Sequence, residues 1–226
     1  MLFKIVQNVK GDKDMTYHAL AVINGILEDK RTRIKLLVSI QSSANEQRQL
    51  DLIGILNSFL VQSFEVDQQH HRDLAAHTLA ILIEAYEYKK CAVAAKNFMN
   101  YLFDQSDTFM KQQSGAKSAP QASLSKIAFT HCIMYMVKTN ELARDFVDRK
   151  GFHLMQGFLQ DDCLKNGQIA YNVCCALWIL TYHPFAMKQF GDYQLSIIEC
   201  ISKILDYFNK EKIVRIILMI FDVSQR

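Results

Sequence analysis

A chain of 226 residues with 50% hydrophobic and 22% charged side chains can bury a core, and it is too apolar to be disordered throughout. The formal net charge is only +3 and the basic residues are scattered, which argues against nucleic-acid binding. No stretch of about 18 uncharged apolar residues occurs, so no membrane span is predicted and membrane contact is expected only through a partner.

The composition favours an all-helical protein. The chain contains only 8 Gly and 2 Pro and is rich in good helix formers, unlike the turn-dense sequences of β-sandwiches and barrels. No secretory signal is recognisable at its start, and the cysteines are irregularly spaced, so free thiols in a reducing cytosol are expected. These cysteines are Cys91, Cys132, Cys163, Cys174, Cys175 and Cys200.

The first hundred residues predict a run of helices. Their approximate ranges are 1–9, 14–28, 31–41, 47–63 and 69–86, and another helix begins near Ala92. Leu74, Thr78 and Ile81 illustrate the helical spacing of apolar positions. Because the apolar faces of such short helices are broad, each helix is expected to have neighbours on two sides, as in a stacked array.

A change of composition follows at residues 111–125, where KQQSGAKSAPQASLS carries almost no large apolar side chain. Such a segment cannot bury enough surface to offset its ordering entropy, and we interpret it as a flexible loop inside a single domain spanning 1–226. Helices resume at Lys126. Gly151 is predicted to end the next helix through a left-handed cap.

The region from Gln168 to Phe221 is predicted to be helix, break, helix, break, helix. Two apolar helix pairs can be superposed as units: GFHLMQGFLQ followed by YNVCCALWIL is the first, and SIIECISKIL followed by IVRIILMIF is the second. Leu154 and Ile201 are then equivalent at a separation of 47 positions, and Ala176 and Ile217 at 41, close to the period of HEAT and armadillo repeats, roughly 40 to 47 residues. The predicted fold is therefore an all-α, right-handed solenoid of HEAT/armadillo-like helical repeats.

The last two helices give the clearest pattern. One apolar stripe is expected on the first of them, at Ile197, Ile201, Ile204, Leu205 and Phe208. Asn209 is predicted to cap the final helix. Glu211 and Arg215 are four residues apart and are expected to pair on one face.

Neither the histidines nor the cysteines form a recognisable catalytic or metal motif. His70 and His77 share a helical face, but a zinc-protease helix needs histidines four apart with a glutamate between them. The other histidines are interpreted as ordinary helix residues, and there is no C-x-x-C. Phosphate-binding glycine loops and the G-x-S-x-G elbow are also absent from the sequence. The prediction is no catalytic residue, no cofactor and no metal.

Two features can be interpreted in two ways. Trp178 is interpreted as a core residue rather than a binding-site aromatic. Lys210, Lys212 and Arg215 form a modest basic edge, which is either a solvated helix start or a docking edge for an acidic partner helix. These three residues are the candidate partner-binding residues.

Two runs near the end point to a family. The first, Trp178 to Pro184, follows W-[LI]-L-[AST]-[FY]-x-P, and the second, Lys210 to Leu218, follows K-E-K-[IV]-[TSV]-R-[ILV]-[ILV]-L. Together they resemble the repeat region of the regulatory H subunit of the vacuolar-type proton-translocating ATPase. The resemblance implies a non-enzymatic subunit of the V1 sector that binds stalk subunits E and G, other V1 subunits and membrane-sector subunit a. It also implies a place on the cytoplasmic face of vacuolar or endosomal membranes, in the cytosol when V1 is detached, and a role in organelle acidification.

The chain departs from the family after Leu218, where it reads MIFDVSQR. The family's separate C-terminal domain is therefore expected to be absent, which leaves open whether the sequence is a fragment or a short subunit, and whether it restrains ATP hydrolysis by free V1. A generic armadillo or HEAT adaptor for an extended peptide is the alternative function, and it predicts a ladder of groove-facing Asn and Trp. An all-helical enzyme is a third possibility and predicts titratable residues converging in one pocket.

Overall fold

The structure is a computed structural model that describes residues 13–29, 31–32, 56, 60, 69–85, 88–113, 123–160, 162–208 and 210–224. Within these residues all regular structure is helical. The helices with described bounds are α1 (Lys13–Glu28), α2 (Gln69–Ala85), α3 (Tyr88–Gln113), α4 (Lys126–Met136), α5 (Asn140–Asp148), α6 (Gly151–Gln160), α7 (Asp162–Lys165), α8 (Gly167–Leu180), α9 (Pro184–Tyr207) and α10 (Glu211–Ser224). None of the helices in the described part of the chain is long and apolar enough to cross a membrane.

The helices pack in two rows. The first row runs α1, α2, α4, α8, α10, each helix lying against the next. In the second row α3 packs on α5, α5 on α6 and α9, and α6 on α9. Contacts of α3 with α2 and α4, and of α6 and α9 with α8, join the rows, and one hydrophobic core extends from Leu20 to Ile220. The all-α solenoid predicted from the sequence is confirmed.

The predicted helix pairs occupy equivalent places in the two rows. GFHLMQGFLQ is α6 and SIIECISKIL lies in α9, both in the second row, whereas YNVCCALWIL lies in α8 and IVRIILMIF in α10, both in the first. Leu154 and Ile201 are both buried, as are Ala176 and Ile217. The repeat period therefore reflects a real structural repeat, in which each pair buries its apolar faces on the preceding one.

Most predicted helices that fall on described residues are confirmed. The ranges 14–28 and 69–86 correspond to α1 and α2. The helix predicted from Ala92 is the regular part of α3, because Cys91 has non-helical angles (φ −120°, ψ 15°) that separate it from a short turn at Tyr88. The predicted helices 1–9, 31–41 and 47–63 lie outside the described residues, except for positions 31–32, 56 and 60.

The segment predicted as a loop is shorter than expected at its start. Residues 111–113 complete α3, and 114–122 lie outside the described residues. At its end Ser123 is held by Gln105, whose Oε1 accepts from the Ser123 backbone N–H (2.8 Å) and hydroxyl (2.9 Å). The Ser125 N–H donates to Asp73 Oδ1 at 2.9 Å, and the Ser125 hydroxyl caps α4. Side-chain hydrogen bonds, which composition does not indicate, thus fix the end of this segment onto α2 and α3.

The left-handed residue lies one position earlier than predicted. Lys150 has φ 63°, whereas Gly151 is the first residue of α6. Gly151 is required for a different reason: a Cβ there would overlap the ring of Phe146. The sequence predicted a conformational role for this glycine, but the structure uses it for close packing between α5 and α6.

The stripe predicted on the penultimate helix is confirmed. Ile197, Ile201 and Ile204 are buried, and Leu205 and Phe208 pack against the core with part of their surface exposed. The predicted cap, Asn209, lies outside the described residues. Glu211 and Arg215 form the expected ion pair across one helical turn, with both side chains largely exposed.

Candidate partner-binding site

The predicted basic edge borders a groove at one end of the first row of helices. The groove encloses about 870 Å³ between the start of α8 and the start of α10. Its lining consists of Lys165, Asn166, Gly167, Gln168, Tyr171, Lys210, Glu211, Lys212 and Ile213. Two helix N-termini therefore face the same space, and each carries the partial positive charge of its helix dipole.

Local capping explains why both helices begin here. The Asn166 side chain accepts from the backbone N–H of Gln168 (2.9 Å) and Ile169 (3.3 Å), which starts α8. Phe208 adopts an extended conformation that ends α9, and the Lys210 carbonyl then accepts from Ile213 at 2.9 Å in the first turn of α10. The walls of the groove are thus set by two helix starts and a helix break.

A glycine lets the two walls approach each other. A Cβ on Gly167 would lie 3.2 Å from Cε1 of Phe208 and 3.8 Å from Nζ of Lys210. Phe208 therefore packs directly against the first turn of α8, and the ammonium of Lys210 lies beside it. This contact fixes the distance between the groove walls.

Two of the three predicted residues line this groove, and the third lies beside it. Lys210 and Lys212 are exposed and line the groove, and within the described residues neither forms an ion pair. Arg215 lies outside the lining, and it neutralises Glu211, the acidic residue of that lining. The structure adds Lys165, which was not predicted from the sequence because it lies 45 positions before Lys210. The Asn166–Gly167 helix start directly after it was a signal that could have indicated this location.

The histidines come together in a place that spacing did not predict. His77 of α2 and His131 of α4 lie with ring centroids 3.9 Å apart, and Tyr135 packs on both rings. A cavity of about 270 Å³ adjoins them, with His70 and Asp73 also in its lining. Burial lowers the pKa of His77 to about 4. Burial, the neighbouring His77 and Lys138 lower the pKa of His131 to about 3, although Glu28 opposes this.

Burial favours the neutral forms of the two histidines and of the thiols. In the described part of the chain no group of three or more His, Cys, Asp and Glu side chains is placed to hold a metal ion. All six thiols are free, and five of them are buried. Burial raises the pKa of each thiol, which disfavours the thiolate that a nucleophile or metal ligand requires.

Comparison with known proteins gives a consistent result over nearly the whole sequence. The model of one family, described as the H subunit of the V-ATPase, matches residues 1–222. The chain belongs to the V-ATPase H-subunit family. It is 24% identical over 220 residues to the V-type proton ATPase H subunit of Drosophila melanogaster, an alignment that covers 97% of this chain and 42% of that protein. It is 22% identical over 217 residues to a probable V-type proton ATPase H subunit, number 2, of Caenorhabditis elegans, covering 96% of this chain and 41% of the relative.

The chain thus spans about two fifths of the length of these H-subunit relatives. The match covers the helical array described above, including both walls of the groove between α8 and α10. The family resemblance inferred from two short runs is confirmed at low overall identity.

The first of those runs in this member of the H-subunit family forms the junction between α8 and α9. The Thr181 hydroxyl donates to the Trp178 carbonyl at 2.6 Å, and Pro184 is the first residue of α9. His183 precedes it, with Nδ1 3.2 Å from Asn140 Oδ1 and Nε2 3.1 Å from the Val137 carbonyl. The run therefore ends one helix, starts the next and ties both to the turn between α4 and α5.

Trp178 is half-buried against the core, with its ring at 5.5 Å from that of Tyr182. Its indole N–H is buried, and no acceptor for it lies within the described residues. Asn172 on the same helix is fully buried: its amide donates to Thr130 Oγ1 (3.2 Å) and accepts from Gln168 (2.9 Å). Neither side chain presents a hydrogen-bonding group to an open groove, as a peptide-binding Asn and Trp ladder requires.

Proposed function

We propose that this chain is a non-catalytic part of a V-type proton ATPase, where it couples the V1 sector to the peripheral stalk and the membrane sector. The observation that carries the proposal is the family match over residues 1–222. The partners would be stalk subunits E and G, other V1 subunits and membrane-sector subunit a. The location would be the cytoplasmic face of vacuolar or endosomal membranes, or the cytosol when V1 is detached.

The architecture supports a binding role. A two-row helical array presents a large surface on rigid elements, and stacked repeats use such surfaces to bind other proteins. The two histidines that the fold brings together, His77 and His131, are largely buried, and burial favours their neutral forms. ATP hydrolysis would therefore take place on other subunits, and this chain would act on proton transport and organelle acidification through contacts. Any restraint on free V1 by this chain alone stays an open prediction.

The alternative function, a generic adaptor for an extended peptide, has less support. A peptide-binding groove of this kind would need Asn and Trp side chains that point into it. The only Trp of the sequence, Trp178, has a buried indole N–H, and the amide of Asn172 on the same helix donates to Thr130 of α4. The family match also favours a dedicated subunit over a general adaptor.

Binding to the purified E and G heterodimer tests the proposal. Because the chain spans about two fifths of its relatives, binding is a fairer readout than restored proton pumping. We expect the immobilised heterodimer to retain the chain at micromolar concentration, measured by biolayer interferometry, with helicity checked by circular dichroism. A folded chain that does not bind E–G, subunit a or V1 in this range would refute the proposed function.

A further inference from the structure

The groove between α8 and α10 has an excess of positive charge. Within the described residues Lys210 and Lys212 contribute two exposed cations that form no ion pair, against the single carboxylate of Glu211, and Lys165 also lies in the lining. That carboxylate is already paired with Arg215, which lies outside the groove lining. The chain as a whole is close to neutral, with 26 basic and 23 acidic residues, so this local excess is not a consequence of overall composition.

The two helix N-termini add to the positive potential. Both α8 and α10 are 14 residues long, and both begin at the groove. Lys210 lies beside the first turn of α8, so an ammonium and a helix N-terminus repel each other across the gap. An anionic group in the groove would relieve this repulsion, because it would interact favourably with both.

The groove is also built to keep its shape. The Asn166 cap, the Phe208–Gly167 contact and the half-buried ring of Tyr171 are all fixed by packing or hydrogen bonds. The partly exposed ring of Tyr171 gives the lining an apolar part beside the lysines, whereas Ile213 in the same lining is buried. A mixed apolar and cationic lining suits a peptide, whose side chains offer both kinds of contact, better than a sugar–phosphate backbone or an isolated anion.

We propose that this groove is a docking site for a carboxylate-rich segment of a protein partner. This inference rests on the proposed function, since it assumes that the chain docks on other subunits. Lys210 and Lys212 form ion pairs with Asp or Glu side chains of that segment, and Tyr171 contacts its apolar positions. Arg215 is not part of the contact, which separates it from the two lysines with which the sequence grouped it.

The test compares two double charge reversals. Lys210→Glu with Lys212→Glu changes the groove, whereas Lys188→Glu with Lys203→Glu changes two exposed lysines of α9 and alters the net charge equally. The probe is a fluorescein-labelled poly-glutamate peptide, with poly-glutamine of the same length as the uncharged control. Thermal unfolding verifies that both variants fold, which is expected because all four side chains are exposed.

We expect the groove variant to bind poly-glutamate at least about tenfold more weakly than the unmodified chain, with the α9 variant changed by less than about twofold. Poly-glutamine should not bind. Equal losses in the two variants, or no loss in the groove variant, would overturn the proposal. So would tighter binding to phosphatidylserine vesicles than to the peptide, lost in the same variant, because the surface would then serve a membrane.

Binding of the unmodified chain and of both variants to the E–G heterodimer is the second measurement. If the unmodified chain binds E–G and only the groove variant fails, the stalk supplies the acidic segment. If the groove variant binds E–G normally and also binds poly-glutamate normally, the docking site is wrong and the proposed function stands. If the unmodified chain binds no subunit but shows groove-dependent poly-glutamate binding, the proposed function is wrong and the docking site stands.

Discussion

The imidazole rings of His77 and His131 lie with their centroids 3.9 Å apart, at an angle of 54°. The contact joins α2 to α4, and Glu28 of α1 approaches it with Oε1 4.0 Å from His77 Nδ1. Within the described residues, His77 Nε2 is buried without a hydrogen-bond partner. Three helices of the first row therefore meet at two imidazoles that must be neutral, because two adjacent imidazolium ions would repel each other in a site with little water.

This arrangement predicts that acid weakens the folded state. In the folded chain the pKa is about 4 for His77 and about 3 for His131, below the ordinary value of 6.5. At pH values between the folded and the ordinary pKa, the unfolded chain therefore binds more protons than the folded chain. The free energy of unfolding is highest above pH 6.5, and it falls as the pH drops through that value toward the folded pKa values of the two histidines. At pH 5 each histidine should lower the free energy of unfolding by about 2 kcal/mol.

Urea denaturation at several pH values measures this effect. Replacing both residues by Phe should flatten the pH dependence between about pH 6.5 and 5, whatever it does to stability at about pH 7.5. His153→Gln, at an exposed position of α6, is the matched control and should retain the full slope. A double variant with the slope of the unmodified chain would show that other groups cause the acid sensitivity.

Two glycines in helices should respond to alanine with opposite signs. Gly151→Ala places a methyl group against the fully buried ring of Phe146, which should cost about 1–3 kcal/mol through overpacking. Gly191 lies within α9, and beyond the adjoining backbone of that helix no atom lies within 4 Å of its Cβ position, so Gly191→Ala should stabilise by about 0.5–1 kcal/mol. The urea midpoint of each variant, compared with that of the unmodified chain, measures the two effects. Equal changes at the two sites would contradict the packing role of Gly151.

The sequence predicted what depends on local pattern and missed what depends on contacts across helices. The repeat was visible because Leu154 and Ile201 recur at equivalent places, and burial at those positions follows from the apolar face of each helix. The proximity of His77 and His131 depends on how α2 lies against α4, and no spacing within one helix encodes that.

The candidate site shows the same division. Lys210 and Lys212 were visible as neighbouring cations at a helix start, but the groove also needs Lys165 and the first turn of α8. The grouping of Arg215 with the two lysines overlooked its pairing with Glu211, although the spacing of four residues had predicted that pair. The ion pair within α10 could therefore be predicted from the sequence. The second wall of the groove, which is the start of α8, could not.

The buried amide of Asn172 should be coupled energetically to Thr130. Its Nδ2 donates to Thr130 Oγ1 at 3.2 Å and to the Ile127 carbonyl at 3.3 Å, across the α4–α8 interface. Asn172→Ala should cost about 2–3 kcal/mol, because it removes these bonds and leaves a small cavity. A double-mutant cycle with Thr130→Val should give a coupling of about 1 kcal/mol. Additive effects would mean that the 3.2 Å contact contributes nothing specific.

His183 should stabilise the junction between consecutive repeats through its hydrogen bonds. Its ring bridges the Asn140 side chain and the Val137 carbonyl, which closes the turn between α4 and α5 onto the start of α9. The nearby Arg144 guanidinium stacks 4.4 Å from the centroid of Phe185, so several contacts hold this junction. His183→Ala should therefore cost about 1–2 kcal/mol in urea denaturation, the range expected for losing one partly buried and one exposed hydrogen bond.

Amide hydrogen exchange locates the effect of His183→Ala. Exchange should accelerate in the first turns of α5 and α9 and stay unchanged in α2, because the tie joins only the former pair. His153→Ala, on the exposed side of α6, should change neither stability nor exchange by a comparable amount. Faster exchange spread evenly over all helices would indicate that His183 supports the whole array instead of one junction.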